Sequence, residues 1–404
     1  MAVCCAKVDS MTTRKPGDAT RLIHSDYVPP DGFASLTTPI HHASTVVFPN
    51  VRTYRTRGER LYDGYMYGLT GTPTTMMLAQ RFADLDGGHR AVLTPSGLSA
   101  LTLVYLSCLK RGDHGLVPDH VYAPSRTLAT KLLTGLGVET TFYDPLAGSD
   151  VARLMRDNTR LVWVESPGSV TMEVQDVPAI AAAAHAGGAL VAIDDTWSAG
   201  LYFKPFEKGC DISVQAVTKY IGGHADLLLG AVAAKDEVLY RRLKDMAGIL
   251  GLGAAPDDCF LALRGLPSMA ARLHRHQASA LAIAAWLKTL PEVKRVLHPA
   301  FSDCPGHAIW QRDFSGSSGL FSVILHEQFP QAAVDRMIDG LRYFKIGASW
   351  GGPVSLALPL DPRPIRTAAP WREAGALVRL NIGLEDADDL IADLQAGLEL
   401  LKNS

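Results

Sequence analysis

Short apolar segments alternate with helical patterns through the middle of the chain. Several of these segments are apolar throughout, which is typical of strands buried on both faces. The alternation of strands and helices predicts an α/β fold, with a mainly parallel sheet covered by helices on both sides. The predicted strands are residues 91–94, 115–117, 139–143, 161–165, 190–194, 213–217 and 229–234, and the predicted helices are residues 74–85, 98–110, 125–136 and 177–186.

The patterns differ at the two ends of the chain. Residues 1–70 have few regular patterns and many Pro, Gly and Thr residues, and an irregular stretch of that length is unusual inside a compact domain. We therefore expect residues 1–70 to form an extended arm that contacts a neighbouring subunit. Residues 71–255 are expected to form the α/β domain, and residues 256–404 a smaller C-terminal α+β domain.

The C-terminal part has its own pattern of helices and strands. A long helical segment carries two residues that disfavour helix in its interior, Gly265 and Pro267, so an interruption is expected there. The predicted elements are a helix over residues 257–289, strands at residues 319–325 and 377–382, and a terminal helix over residues 386–401.

Composition excludes several classes of protein. Of the 404 residues 47% are hydrophobic and 20% are charged, which is ordinary for a soluble globular protein. The net charge of −2 gives no electrostatic reason to expect nucleic acid or membrane as a partner. The sequence has no apolar run near the roughly 20 residues that span a bilayer. The start of the chain, with Cys4 and Cys5, lacks the apolar core of a secretory signal. The histidines and six scattered cysteines lack metal-ligand spacing, so we expect no metal site and a cytoplasmic, reducing location.

The strongest chemical signal is a lysine that follows a buried strand. The apolar run at residues 212–217 is followed by a Thr-Lys pair, Thr218 and Lys219. Burial disfavours a charged amine, and a neutral amine is a nucleophile that forms a Schiff base with a carbonyl compound. Asp194 ends another apolar strand. A lysine and a carboxylate at neighbouring strand ends meet the needs of pyridoxal phosphate, which takes an imine partner and an anion for its pyridinium nitrogen.

Three further segments carry candidate functional groups, each with a plain structural alternative. The strand-to-helix turn at residues 94–100 could bind a phosphate through Ser96 and the following backbone N–H groups, or it is a simple turn. Tyr122 follows a strand and could stack on a flat cofactor, or it is a loop tyrosine. Arg379 interrupts an apolar strand and could bind a carboxylate bidentately, or its side chain faces outward.

Taken in order, the motifs resemble the transsulfuration family of pyridoxal-phosphate enzymes, and within it the bacterial cystathionine β-lyases. The resemblance covers the chain from about residue 20 to its end. The matching stretches are PIHHASTVVF (39–48), YGLTGTPT (67–74), TPSG (94–97), YAPS (122–125), ESPGSVTMEV (165–174), IDDTW (193–197), QAVTKY (215–220), RDFSGSSGLF (312–321), SWGG (349–352) and VRLNIGLED (378–386).

This resemblance implies a fold and a set of residue roles. The fold would be the aminotransferase-like fold of type I pyridoxal-phosphate enzymes, assembled as a homotetramer, a dimer of dimers with shared active sites. Lys219 would carry the cofactor and move the Cα proton of a small amino-acid substrate, and Asp194 would hold the pyridinium nitrogen. Tyr122 would stack on the ring and assist catalysis. The phosphate would be held by Ser96, Gly97, Leu98, Thr218 and the neighbouring subunit's Tyr67, and the substrate carboxylate by Arg379, Ser349 and Trp350.

The implied activity is carbon–sulfur β-elimination, which converts cystathionine or a related cysteine conjugate into a thiol (homocysteine), pyruvate and ammonia, as in methionine biosynthesis. Members of the β-lyase group carry arginine, tyrosine and an acid where this chain has Leu69, Ala348 and Ala123, so the far end of the substrate stays undefined. Amino-acid racemisation and γ-elimination on the same scaffold are the alternatives; a purely binding protein is disfavoured because the predicted cofactor residues are all present. The arginines that could restore a distal charge are Arg55, Arg57, Arg60 and Arg126.

Overall fold

A seven-stranded sheet organises the first half of the molecule. The computed structural model describes residues 16–24 and 27–402. The strands run in the order β1-β7-β6-β5-β4-β2-β3 across the sheet. The neighbours from β3 to β6 are parallel, whereas β7 is antiparallel to both β6 and β1, so the predicted mainly parallel sheet is confirmed. The strands are β1 (Arg90–Thr94), β2 (His114–Pro118), β3 (Glu139–Tyr143), β4 (Thr159–Glu165), β5 (Leu190–Asp194), β6 (Ile212–Ala216) and β7 (Gly230–Ala234).

Helices cover both faces of this sheet. Trp163 of β4 packs in one hydrophobic cluster, and its neighbours Val162 and Val164 pack in a second cluster on the opposite face. The continuous apolar strands are therefore explained by burial on two sides. The helices are α1 (Asp18–Ile23), α2 (Val51–Arg55), α3 (Pro73–Asp86), α4 (Gly97–Cys108), α5 (Ala123–Thr127), α6 (Val177–Ala186), α7 (Glu237–Ile249), α8 (Pro256–Leu287), α9 (His307–Asp313), α10 (Gln331–Asp339) and α11 (Ala387–Lys402).

A second, antiparallel sheet lies in the C-terminal part. Its order is β10-β11-β9-β8, and the strands are β8 (Val293–Leu297), β9 (Leu320–Leu325), β10 (Leu356–Leu360) and β11 (Leu377–Asn381). The sequence pattern predicted the two central strands and missed the two edges. Edge strands tolerate charge and proline, and β8 carries Lys294 and Arg295 whereas β10 carries Pro359.

The long helix α8 is continuous, so the predicted interruption near Gly265 and Pro267 is wrong. An interior proline costs roughly 3 kcal/mol. Leu266, Met269 and Leu273 are buried on this part of the helix, and each such side chain stabilises the fold by roughly 1.5–3 kcal/mol. Their packing outweighs the cost of the proline.

The predicted helix at residues 125–136 is confirmed as a continuous helical run over residues 123–135, but its hydrogen-bonding pattern changes along its length. The helix α5 ends at Thr127 and is followed by a wider, π-helical turn at Leu128–Leu133. In this segment Thr130 Oγ1 donates to the carbonyl of Arg126 at 2.9 Å. Side-chain bonds of this kind compete with regular helix hydrogen bonding.

The N-terminal arm contains little regular structure apart from α1 and α2. The described part of the arm also has two short 3₁₀ turns, Arg57–Arg60 and Gly68–Thr70, and an isolated bridge between Thr45 and Tyr67. The expectations for residues 1–15, including Cys4 and Cys5, lie outside the described residues. The domain boundaries after residues 70 and 255 remain a prediction. Within residues 16–24 and 27–402, no helix is both long and apolar enough to cross a bilayer.

Candidate active site

A cavity of about 210 Å³ opens at the carboxyl ends of the parallel strands. Ligands bind at this edge of open α/β sheets. The structure brings eight of the predicted site residues together in the lining of this cavity: Ser96, Gly97, Leu98, Tyr122, Asp194, Thr218, Lys219 and Trp350.

Lys219 lies three residues beyond the end of β6, in a turn that is closed by the bond from its backbone N–H to the Ala216 carbonyl at 2.9 Å. Its Nζ donates to Ser349 Oγ at 2.6 Å and lies 5.2 Å from the centroid of the Trp350 ring. The amine is thus held between the first sheet and the segment before β10.

The environment of Lys219 favours the neutral amine. Burial, followed by the positive charge of Arg379, lowers the pKa of Lys219 from 10.5 to about 8, and the nearby Asp194 carboxylate opposes this shift. Burial therefore prevails over the attraction of the carboxylate, a balance that the sequence alone left open. A lysine with a pKa near 8 has a substantial neutral fraction at physiological pH and is suited to attack a carbonyl.

The capture of pyridoxal 5′-phosphate by the cofactor-free protein should depend on pH through Lys219. Because the charged amine is not a nucleophile, the capture rate should rise about tenfold per pH unit below the pKa of about 8 and level off above it. Stopped-flow absorbance of the protein-bound cofactor measures this rate. An Arg379→Gln variant should move the midpoint upward, since one of the two causes that lower the pKa is removed. A midpoint near 10 in the unaltered protein would contradict the expectation.

The carboxylate of Asp194 lines the cavity. Its Oδ1 accepts hydrogen bonds from the Thr196 N–H at 3.0 Å and from Thr196 Oγ1 at 2.5 Å. Both bonds use one oxygen, so Oδ2 is left to accept from a ligand. Burial raises the pKa of Asp194, and the Thr196 bonds and Lys219 oppose that rise.

The N-terminus of α4 forms an anion cradle beside Lys219. Ser96 caps the helix through its Oγ, which accepts from the Ser99 N–H at 3.1 Å. The N–H groups of Gly97 and Leu98 open the helix, where no intrahelical acceptor exists. A Cβ on Gly97 would lie 2.7 Å from the Ala216 Cβ, so only glycine lets the helix end approach β6 this closely.

Thr218 lines the same cavity as this cradle. Its Oγ1 donates to the Leu229 carbonyl at 3.1 Å and accepts from the Leu229 N–H at 3.0 Å. A hydroxyl has one proton, so donation to a phosphate would require it to leave the Leu229 carbonyl. The predicted phosphate role of Thr218 remains a prediction.

Arg379 and Ser349 lie beside the cavity and are joined to it through Lys219. Arg379 Nη2 donates to the Ser349 carbonyl at 3.2 Å, while Ser349 Oγ accepts from Lys219. Burial lowers the pKa of Arg379, yet a guanidinium stays charged and retains N–H groups for a carboxylate. The sequence left open whether Arg379 faces outward; the structure turns it toward the site.

Tyr122 stands at the mouth of the cavity, and a glutamate holds its backbone. The N–H of Tyr122 donates to Glu165 Oε2 at 2.9 Å. Burial, followed by the charges of Asp194 and Glu165, raises the pKa of the Tyr122 phenol. Glu165 lines the cavity and was assigned no role from the sequence; its position as the last residue of an apolar strand, like Asp194, was the available signal.

Tyr67 and Arg126 lie away from this cavity. Tyr67 is half-exposed on the arm, where its Oη accepts from Ser44 Oγ at 3.3 Å. Arg126 is buried and donates to Asp119 Oδ1 at 3.0 Å and to Thr367 Oγ1 at 2.6 Å. The suggestion that Arg126 supplies a distal charge is therefore wrong, because its guanidinium is buried and already bonded to Asp119 and Thr367.

The sequence matches one family model over residues 19–399, that of the Cys/Met metabolism PLP-dependent enzymes. The chain belongs to this family. The predicted cofactor, pyridoxal phosphate, and the predicted family are confirmed.

Individual relatives align over almost the whole chain. A protein from Rhizobium johnstonii, provisionally named as a cystathionine beta-lyase, is 46% identical over 384 residues, which cover 94% of this chain and 96% of that protein. Cystathionine beta-lyase from Escherichia coli is 39% identical, with 94% and 97% covered. An L-alanine/L-glutamate racemase from Wolbachia pipientis is 38% identical, with 91% and 93% covered.

A solved structure confirms the fold class. Cystathionine gamma synthase from Xanthomonas oryzae pv. oryzae, in complex with cystathionine, superposes with a TM-score of 0.87 at 32% identity, covering 96% of this chain and 100% of that one. The type I fold predicted from the sequence is thus shown.

The residues of the cavity fit the cofactor. Asp194 Oδ2 can accept from a cationic ring nitrogen, the α4 N-terminus can receive the phosphate, and the Lys219 amine can bond to the aldehyde carbon. The contact between Gly97 and Ala216 keeps the cradle within the same cavity as Lys219. Bound there, the cofactor supplies an electron sink for a carbanion at the substrate Cα.

Proposed function

We propose that this protein is a pyridoxal-phosphate-dependent C–S β-lyase that converts cystathionine, or a related cysteine S-conjugate, to a thiol, pyruvate and ammonia. The observation that carries the proposal is the Lys219 amine, with a pKa near 8, bonded to the Ser349 segment that Arg379 also binds. This geometry provides a base and a carboxylate-binding group side by side. The names of the Rhizobium and Escherichia coli relatives support the same reaction.

Different side chains would bind the substrate and move its Cα proton. Arg379 and the Ser349–Trp350 segment would bind the substrate α-carboxylate, which fixes the Cα next to Lys219. Lys219 Nζ, once neutral, would take the Cα proton, and the bond from Cβ to sulfur then breaks with departure of the thiolate. The Ser349 hydroxyl, 2.6 Å from Nζ, would hold the amine in position between these steps.

A product screen tests the proposal. Purified protein loaded with pyridoxal phosphate would be supplied with cystathionine, cysteine, methionine or L-alanine and scored for keto acid and for D-enantiomer. The proposal expects pyruvate and thiol from cystathionine or another cysteine conjugate. Release of 2-oxobutyrate instead would indicate γ-elimination, and no pyruvate from cystathionine, from cysteine or from a cysteine S-conjugate at saturating cofactor would overturn the proposal.

Racemisation is the second candidate, and one relative favours it. The Wolbachia racemase is nearly as similar to this chain as the Escherichia coli lyase. Tyr122 shares the cavity with Lys219 and could deliver a proton to the other face of Cα, whereas loss of distal charge at Leu69, Ala348 and Ala123 reduces the hold on a long substrate. D-alanine formation from L-alanine, faster than pyruvate formation from cystathionine, would establish this candidate.

We further propose that the arm covers a second copy of this chain, within a homotetramer. Large apolar side chains of the arm are unusually exposed for a surface, with Val28 at 84%, Leu36 at 102% and Val47 at 88%. Exposed apolar patches of this kind mark protein interfaces. Tyr67 lies on the same arm, so it would reach the phosphate of the neighbouring subunit. Four free, buried cysteines, Cys108, Cys210, Cys259 and Cys304, suit a cytoplasmic location.

Mixing two inactive variants should restore activity if Tyr67 acts across the interface. Lys219→Ala and Tyr67→Ala chains would be unfolded, mixed in equal amounts and refolded. Each hybrid pair then has one site with both native residues, so the mixture should recover about a quarter of the activity of the unaltered protein. No recovery, with hybrid pairs shown by mass spectrometry, would place Tyr67 in the site of its own chain.

A further inference from the structure

Glu165 and Asp194 end two neighbouring strands and face the same cavity. They are register partners between β4 and β5, which are parallel. Side chains at paired positions of parallel strands point to the same face, and the strands lie about 4.8 Å apart. Both residues line the cavity. When two carboxylates lie this close and away from bulk water, each charge disfavours the other, so the pKa of at least one of them is raised.

A second buried glutamate, Glu173, has the cationic partners that Glu165 lacks. Glu173 is as buried as Glu165, but it accepts from Arg366 Nη1 at 2.8 Å and lies 3.3 Å from His120 Nδ1. These partners hold the pKa of Glu173 well below its usual range. No Lys, Arg or His among the residues that the structure describes forms an ion pair with Glu165, and burial together with Asp194 raises the pKa of Glu165 well above its usual range.

The hydrogen bonds of Asp194 and Glu165 differ, and the difference indicates a different role for each acid. Asp194 receives both Thr196 bonds on one oxygen, and these bonds together with the nearby Lys219 oppose the rise that burial causes in the pKa of Asp194. Glu165 accepts from the backbone N–H of Tyr122 and receives a second backbone hydrogen bond from Ser169. A neutral carboxylic acid can still accept the Tyr122 bond through its carbonyl oxygen, so protonation leaves the Tyr122 segment in place.

We propose that Glu165 is a positioning residue for the cofactor, held as a neutral acid beside Asp194, where it fixes the Tyr122 segment and leaves Asp194 to carry the negative charge beneath the ring. The titratable groups that face Glu165 are Asp194 on β5, His120 and Tyr122 on the segment after β2, and Tyr105 on α4. The inference requires the cofactor but not the assignment of cystathionine as substrate.

Infrared difference spectroscopy tests the protonation state directly. Spectra of the unaltered protein minus Glu165→Gln should contain the carbonyl stretch of a protonated carboxyl group. The matched control, Glu173→Gln, should show carboxylate bands instead, because Glu173 is paired with Arg366. Carboxylate bands lost on Glu165→Gln would overturn the proposal, and this outcome is independent of whether the protein releases pyruvate.

Cofactor affinity tests the positioning role. Titration of the cofactor-free protein with pyridoxal 5′-phosphate, followed by Trp fluorescence, should show that Glu165→Ala weakens binding about tenfold or more, because the part-buried Tyr122 N–H loses its acceptor. Glu165→Gln keeps an acceptor oxygen without a charge and should recover most of this loss. A Gln variant as weak as the Ala variant would show that an anion at position 165 binds the cofactor, and would contradict the proposal.

Discussion

Substituting alanine for Lys219 should lower kcat for pyruvate release by about 10⁴-fold, the upper range for removal of a positioned general base. The variant should also lose covalent attachment of the cofactor, since the amine that bonds to the aldehyde carbon is gone. Steady-state kinetics measures the first effect, and mass spectrometry after borohydride reduction measures the second. The site should remain folded, because the Lys219 side chain contributes one hydrogen bond to Ser349 and no ion pair with a described residue.

A second lysine gives the control for this experiment. Lys208 lies in the same part of the chain and forms an ion pair with Asp313 at 2.9 Å, outside the lining of the cavity. Lys208→Ala should retain the bound cofactor. An added primary amine small enough to enter the cavity should partly restore activity to Lys219→Ala. Full activity of Lys219→Ala would refute the proposed base, whatever the substrate.

Asp194→Asn should lower kcat/KM by about 10³-fold. A carboxylate about 4 Å from a cationic ring nitrogen contributes roughly 4 kcal/mol at an effective dielectric constant near 20, and each 1.36 kcal/mol corresponds to tenfold. In the asparagine variant, the amide oxygen would stay with Thr196 and the NH₂ group would face the ring, which favours an unprotonated nitrogen. Loss of ring protonation weakens the electron sink that the reaction needs.

A variant of the neighbouring acid, Asp195, distinguishes the loss of a charge in the cavity from a disturbance of the local structure. Asp195 is fully buried, accepts from Ser198 Oγ at 2.6 Å and from the Gly200 N–H at 3.1 Å, and does not line the cavity. Burial, followed by the nearby Asp86, raises the pKa of Asp195 well above its usual range, and asparagine keeps an acceptor oxygen at this position. Asp195→Asn should cost less than about tenfold in kcat/KM. Equal losses in the two variants would mean that the charge of Asp194 is not what the cofactor requires.

The parts of the site that could be predicted are those with a local signal. Asp194 and Lys219 each follow an apolar strand, and a strand end in an α/β sheet points to the ligand-binding edge regardless of the remaining fold. The resemblance then added Ser349 and Trp350, which no local pattern distinguishes. Their positions in the structure, one bonded to Lys219 and the other lining the cavity, agree with that set.

The parts that could not be predicted depend on partners far away along the chain. Ser349 is 130 residues from Lys219, and Thr367 is 241 residues from Arg126. No spacing rule reveals such pairs, so the burial of Arg126 and the pKa of Lys219 emerged only from the structure. The continuity of α8 was missed for a similar reason, since the packing of Leu266 and Met269 is a tertiary effect.

The three positions that depart from the β-lyase pattern share one property. Ala123 and Ala348 are exposed, and Leu69 is 41% exposed. Exposed substitutions change stability by about 0.5 kcal/mol or less, whereas Lys219 and Asp194 are half-buried and lie in or next to strands of the first sheet. A lineage could therefore alter which substrate is accepted, one surface residue at a time, without endangering the folding of the domain or the reaction itself.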